Sequence, residues 1–251
     1  MSGTVYLVGA GPGAADLLTL RAARLLAEAE IVFHDALVPA AILALAARAE
    51  KVAVGKRCGR HSTAQRFINK RLADAARQHR IVIRLKGGDP MLFGRAHEEL
   101  SYLRARGVHV EVVPGVTAAL AAAAEMRISL TRRGAARSVT FVTPRQGAGE
   151  APNDWVRAVL AADTSALYMG AGDAAAIAKS LLVAGKRART PVAVVENASL
   201  PEARTVYGTL EALPVLAAQI GGGPALIVLG EALSEALSAA APATARKAQA
   251  R

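Results

Sequence analysis

The sequence predicts an α/β protein of two domains built on mainly parallel or mixed sheets. Short apolar runs rich in Val and Ile alternate with longer stretches in which Leu and Ala recur at helical spacing. The runs tend to end at glycine, proline or aspartate, where a strand turns toward the next helix. At 251 residues, 53% of them apolar and only 4% aromatic, the chain is long enough for a sizeable core and alanine-rich enough for abundant helix.

The elements follow in order. "TVYLVGA" (residues 4–10) reads as a buried strand and "ADLLTLRAARLLAEA" (15–29) as the helix after it. "EIVFHDAL" (30–37) is a second strand, "PAAILALAARA" (39–49) a helix, and "KVAVG" (51–55) a short strand. "STAQRFINKRLADAARQH" (62–79) is a helix with Ser62 as its N-cap candidate. "RIVIRLKGGDP" (80–90) is a β-branched strand running into a turn, "RAHEELSYLRARG" (95–107) a helix, and "VHVEVVPG" (108–115) a strand that stops at Pro114–Gly115. After the helix "VTAALAAAAEM" (116–126), strands are expected in "SVTFVTP", "SALYMG", "TPVAVVEN", "EARTVYGTL" and "GPALIVLG", with helical "AAAIAKSLLVAG" between two of them. The boundary at Pro114–Gly115 gives domains at residues 1–113 and 114–232, and 233–251 is expected to be a disordered, alanine-rich tail.

Composition bounds the function. No apolar segment has the length of a membrane helix, and the first residues lack the basic region and cleavage site of a secretory signal. A single cysteine, Cys58, cannot form an internal disulfide, and a cytoplasmic location is expected. The net charge of +11 would favour nucleic acid, an anionic surface or a polyanionic small molecule. Basic residues are dispersed and no aromatic-plus-basic stacking motif appears, which argues against nucleic acid. His34, His61 and His97 have no metal-ligand spacing with one another or with Cys58, and no metal is expected.

Four stretches carry chemistry. Gly9-Ala10-Gly11-Pro12-Gly13-Ala14 fits the permissive dinucleotide fingerprint, and Asp35 stands where a ribose-binding acid would be wanted. Against that reading, Pro12 lacks an N–H and Asp16 puts a negative charge in the first helical turn. Taken alone, the motif leaves an NAD(P) site, another ligand and a ligand-free turn all open. In "RLKGGDPMLFGRAHEE" a buried strand meets two glycines, which permit close approach to the backbone at a strand's carboxyl end. Asp89 is there either a turn former or a ligand acceptor, with Arg84, Lys86, Arg95, His97, Glu98 and Glu99 nearby in sequence. "VGKRCGRHSTAQ" and "LTRRGAARS" gather further cations that would suit carboxylates.

Together these stretches resemble the tetrapyrrole methylase family. The likeness runs from "VYLVGAGPGAADLLTLRAARLL" through "IVFHDALV", "VGKRCGRHSTAQ", "RLKGGDPMLFGRAHEE" and "EVVPGVTAA" to "LTRRGAARSVTFVT", "LYMG", "TPVAVVENAS" and "PALIVLG". It implies a homodimer of two-domain α/β subunits with S-adenosylmethionine bound in a cleft between domains and S-adenosylhomocysteine as product. The motifs match best the members that methylate two ring carbons of uroporphyrinogen III to give precorrin-2, on the route to sirohaem and cobalamin. A later precorrin methylase is the alternative within the family.

By the resemblance, the cofactor would contact Pro12, Gly87, Gly88, Asp89, Leu92, Thr117 and Ala118, then Tyr168, Met169, Ala198, Pro224, Ala225 and Leu226. A substrate with eight carboxylates would engage Arg57, Arg60, His61, Arg84, Arg95 and Arg133. Arg95, Glu98 and Arg133 are the candidates for substrate orientation or proton handling. The chain departs from the family's usual residues at Met91, Ala96-His97, Arg132 and Pro144-Arg145, positions that flank the expected substrate pocket. It shows no dehydrogenase-chelatase part of the fused sirohaem enzymes, so methylation alone is expected.

Overall fold

A computed structural model describes residues 3–55, 65–147, 151 and 153–240. They form two compact units that divide between Ala118 and Ala119.

The first unit is a five-stranded sheet of β1 (Thr4–Gly9), β2 (Ile31–His34), β3 (Glu50–Ala53), β4 (Ile81–Lys86) and β5 (His109–Val113), in the order β3-β2-β4-β1-β5. All its pairings are parallel. Helices α1 (Leu20–Glu28) and α2 (Ala40–Ala44) cover one face; there Ala22, Leu26 and Ile42 pack on Val8, Val32, Ile83 and Leu85. The other face carries α3 (Gln65–Ala75) and α4 (Ala96–Arg104), where Ile68, Leu72, Leu100 and Leu103 meet Val5, Leu7, Phe33 and Val82. Two covered faces explain why the interior strands β1 and β2 are almost continuously apolar. They also place the ends of the neighbours β1 and β4, whose following helices lie on opposite faces, at the crevice where such sheets take ligands.

The first helix starts later than its periodicity suggests. Ala15–Leu17 is an isolated 3₁₀ turn, and α1 begins only at Leu20, capped by Thr19, whose hydroxyl accepts from the Ala22 amide at 3.1 Å. Asp16 therefore sits in the 3₁₀ turn, and the glycine loop does not open onto the N-terminus of α1. Ser62 lies outside the described residues.

The second unit is a mixed sheet of β6 (Val139–Val142), β7 (Thr164–Tyr168), β8 (Pro191–Glu196), β9 (Arg204–Thr209) and β10 (Ala225–Gly230), in the order β6-β7-β10-β8-β9. Only β6 and β7 pair in parallel. Helices α6 (Trp155–Ala161), α7 (Ala174–Val183) and α8 (Leu213–Ala217) pack on one face through Val159, Ile177, Leu181, Leu213 and Leu216. Helix α5 (Ala118–Met126) leads into this unit, and its Ala119 amide donates to the Tyr168 hydroxyl at 3.1 Å.

The sequence left α6, α8 and a last helix, α9 (Ser234–Ala240), unassigned. The tail expected to be disordered from 233 is thus corrected for its first part. The preceding turn is anchored by buried Ala232 and Leu233, and α9 continues from it to pack on β8 and β9. Residues 241–251 lie outside the described residues. Among the described residues no helix is long and apolar enough to cross a membrane.

Candidate functional site

At the carboxyl edge of the first sheet, three loops that are distant in sequence are tied into one ledge. The Ala10 amide donates to the Lys86 carbonyl at 2.7 Å, and Gly11 and Gly88 exchange two backbone hydrogen bonds of 3.2 and 2.7 Å. Asp89 brackets the third loop: Oδ1 accepts from the Met91 amide at 2.8 Å and Oδ2 from the Gly115 amide at 2.9 Å. The glycines are required by contact. A Cβ on Gly9 would meet the Gly115 nitrogen at 2.6 Å and the Gly88 carbonyl at 2.7 Å, and one on Gly115 would collide with the same carbonyl. The ledge is open above: nothing lies within 4 Å of the place a Gly88 Cβ would occupy. A ligand can therefore reach bare main chain there.

Beneath this ledge the core turns charged. Along one face of β4, Val82 is followed by Arg84 and Lys86, each 3% exposed. Glu99 of α4 is fully buried between them; it accepts from Arg84 Nε at 3.0 Å, Lys86 Nζ at 2.9 Å and Gln65 Nε2 at 3.1 Å. Arg84 also donates from Nη2 to Asp35 Oδ1 at 2.5 Å and from Nη1 to the Leu85 carbonyl at 3.2 Å. Burial lowers the Lys86 pKa, with help from the neighbouring Arg84 charge. Burial opposes the charge of Arg84 too, but the Asp35 and Glu99 carboxylates outweigh it and raise its pKa.

The second unit presents a comparable edge. The registers Leu226 with Tyr168 and Ala225 with Glu196 put the end of β7, the end of β8 and the start of β10 side by side. The Asn197 amide donates to the Pro224 carbonyl at 2.9 Å. Glu196, 2% exposed, accepts from the Gly223 amide at 2.6 Å and the Gly221 amide at 2.9 Å, which folds the glycine loop back onto β8. Met169, Asn197 and Ser199 all have positive φ, and such strain gathers where structure is spent on presenting a site.

The expected cofactor residues accordingly fall at two edges, one in each unit. Pro12, Gly87, Gly88, Asp89 and Leu92 belong to the first ledge, and Thr117 and Ala118 follow its Pro114–Gly115 loop. Tyr168, Met169, Ala198, Pro224, Ala225 and Leu226 occupy the second edge. Arg57, Arg60 and His61 lie outside the described residues. Arg133 is exposed on a tight turn closed by the Arg132–Ala136 pairing. Arg95, in the left-handed region at φ 55°, forks onto Glu98 of its own helix through bonds of 2.6 and 2.8 Å. That fork lowers the Glu98 pKa and keeps the side chain anionic, which suits charge recognition better than proton exchange.

Arg84 requires a correction. Expected to meet substrate carboxylates, it is buried, with its guanidinium spread over Asp35, Glu99 and main-chain carbonyls. Glu99 was not among the expected site residues, and Asp35 entered only as a ribose-binding acid. Their signal is spatial: the partners of Arg84 lie 15 and 49 residues away in sequence. An open groove of about 480 Å³, lined by Leu120, Ala123, Val139 and Phe141 among others, contains none of the expected residues.

The family model of the tetrapyrrole (corrin/porphyrin) methylases matches residues 4–214. The chain belongs to this family. Uroporphyrin-III C-methyltransferase from Thermus thermophilus, solved with S-adenosylhomocysteine, is 44% identical and superposes with a TM-score of 0.82 over 93% of this chain and 100% of that one. Siroheme synthase from Chromobacterium violaceum is 48% identical over 92% of this chain, and siroheme synthase from Psychrobacter cryohalolentis 46% identical over a similar 92%. The chain spans about half the length of these two relatives, 49% and 45%.

Membership bears out the resemblance read from the motifs, the α/β fold class, and the enzyme class of methyl transfer. The NAD(P)-site alternative for the glycine motif falls with it. Its structural basis fails too, because Asp35 is bound to Arg84 and the glycine loop runs into a short 3₁₀ turn instead of the N-terminus of α1.

Proposed function

We propose that this tetrapyrrole methylase transfers methyl groups from S-adenosylmethionine to two ring carbons of uroporphyrinogen III, giving precorrin-2. The observation that carries the reading is the match to the Thermus thermophilus enzyme along its whole length, at 44% identity. The glycine ledge fits the donor, since an open main-chain surface can hold the amine, carboxylate and nucleoside of such a ligand by backbone groups. On the first unit the proposed donor-binding residues are Pro12, Gly87, Gly88, Asp89, Leu92, Thr117 and Ala118. On the second they are Tyr168, Met169, Ala198, Pro224, Ala225 and Leu226.

When bound, S-adenosylmethionine supplies a methyl group already activated by its sulfonium. The chain's task is then to position, and proximity accounts for most of the barrier lowering in such a step. Asp89 holds the ledge in register by bracketing the Met91 and Gly115 amides. Arg133 and the forked Arg95, with Glu98 fixing its orientation, are proposed to receive substrate carboxylates, a bidentate task suited to guanidinium. Arg57, Arg60 and His61 are proposed for the same role.

We propose further that the enzyme is cytoplasmic, in keeping with its single cysteine, and a homodimer, as the resemblance implies; light scattering on the purified chain reads its mass in solution. The activity is tested by incubation with uroporphyrinogen III and methyl-labelled S-adenosylmethionine. Label should enter the tetrapyrrole, and the product should have the spectrum of precorrin-2. Label entering only an added precorrin would move the assignment to a later methylase. The departures at Met91, Ala96-His97, Arg132 and Pro144-Arg145 make this comparison informative.

A further inference from the structure

The Glu99 cluster is a costly way to fill a core. Each ion taken from water carries a penalty of several kcal/mol, and an apolar replacement of a buried ion pair is often no less stable. The rest of this face needs no such device: Val5, Leu7, Ile68, Leu72 and Leu103 pack it without charge. Among the described residues of this core, buried charge appears only where β4 reaches its carboxyl end, directly under the glycine turn, and on Glu99 facing it. The location, more than the energy, calls for an explanation.

The connections supply one. The side chain of Lys86 ends on Glu99, while its carbonyl receives the Ala10 amide of the first loop. The chain then runs through Gly87 and Gly88, which pairs with Gly11, to Asp89, which brackets Gly115. It returns over the Lys86 side chain: a Cβ on Gly94 would stand 3.1 Å from Lys86 Cε and 2.7 Å from the Pro90 carbonyl. Lys86 thus lies beneath the loop it precedes, pinned at its tip by a carboxylate on α4, the helix that the same loop enters. Arg84 extends the arrangement sideways, from Glu99 to Asp35, a partly exposed carboxylate just beyond the end of β2.

We infer that Glu99 is a positioning residue: through Lys86 it sets the height and tilt of the Gly87–Gly88–Asp89 turn, and through Arg84 it fixes the Asp35 carboxylate at the same edge. Glu99 touches no ligand in this role and acts only through the two cations. The inference rests on reading the ledge as the donor-binding surface.

The test uses the whole chain, with S-adenosylhomocysteine as probe in calorimetry, and compares the parent with Glu99→Gln, Lys86→Met and the double variant. The parent must bind the probe; if it does not, the reading of the ledge fails and the role of Glu99 with it. Given parent binding, each single variant should bind about tenfold more weakly, the scale of losing a group that orients a binding element. The KM for the tetrapyrrole should stay within about twofold, because the loss is confined to one ligand's surface. The double variant should bind no more weakly than the worse single one, since both remove the same contact. Lys86→Arg, which can still reach a carboxylate, should recover most of the affinity lost in Lys86→Met. Folded single variants that bind the probe like the parent would overturn the inference. So would unfolding of both Glu99→Gln and Lys86→Met, which would make the cluster a folding element.

Discussion

Each unit buries a glutamate beneath a glycine turn, and the two are neutralised in different ways. Glu99 of the first unit is met by two cations and an amide side chain. Glu196 of the second is met by two backbone amides of the loop it shapes. A carboxylate on main-chain donors is a local bracket, reaching 25 and 27 residues along the chain to one loop. A carboxylate on side-chain cations is a relay, because each cation has its own attachments elsewhere. In the first unit the relay joins β2, β4 and α4, and the bracketing is left to Asp89. In the second, Glu196 does the bracketing and the strand ends take up strain at Met169, Asn197 and Ser199.

The contrast is open to direct attack. The largest effect is expected from Asp89→Ala. Two hydrogen bonds to a charged acceptor, each worth ~1.5–3 kcal/mol, hold the ledge together, so S-adenosylhomocysteine should bind roughly a hundredfold more weakly in calorimetry. Glu196→Ala should act mainly on stability, costing about 1–3 kcal/mol in urea unfolding as the Gly221 and Gly223 amides lose their acceptor. If Glu196→Ala instead matched Asp89→Ala in lost affinity at unchanged stability, the division between binding ledge and structural bracket would be broken.

Arg133→Ala sharpens the comparison from the substrate side. It should leave S-adenosylhomocysteine binding intact and raise the KM for uroporphyrinogen III by about tenfold, the scale of one charge-assisted contact. The smallest effect belongs to the Arg95–Glu98 fork, which is half exposed and worth under ~1 kcal/mol. Because the fork lowers the Glu98 pKa in the folded chain, its contribution is present above the ordinary glutamate range. It fades as pH falls through that range and is gone below the lowered pKa. Thermal melts of the parent and Glu98→Gln should therefore differ slightly at neutral pH and converge in acid.

The strand ends of both sheets were legible in the sequence because glycine and proline mark them; that signal places the turn from Gly87 to Asp89, and the resemblance gave it a ligand. What was not legible has physical causes. Helices α8 and α6 span five and seven residues, too short for a helical period to stand out. Arg84 read as a substrate contact because charge in a sequence reads as solvent-facing; its burial depends on a glutamate one helix later and an aspartate two strands earlier in the chain. The start of α1 was misplaced because the 3₁₀ turn at Ala15–Leu17 continues the apolar pattern into a segment that the Thr19 cap separates from the helix. That separation counts against a dinucleotide, and no spacing rule contains it.

The meeting point of Gly9, Gly88 and Gly115 has a consequence for how this enzyme could acquire new substrates. A methyl group added at Gly9 or Gly115 displaces the backbone of the other two loops, so these positions behave as one shared lock rather than as separate sites. Single-step mutation can explore little there. Diversification is left to side chains that take no part in the lock, such as the exposed Met91 and His97 of the first unit and the exposed Arg132 of the second. A library aimed at altered tetrapyrrole choice should leave the three glycines untouched and randomise those exposed positions.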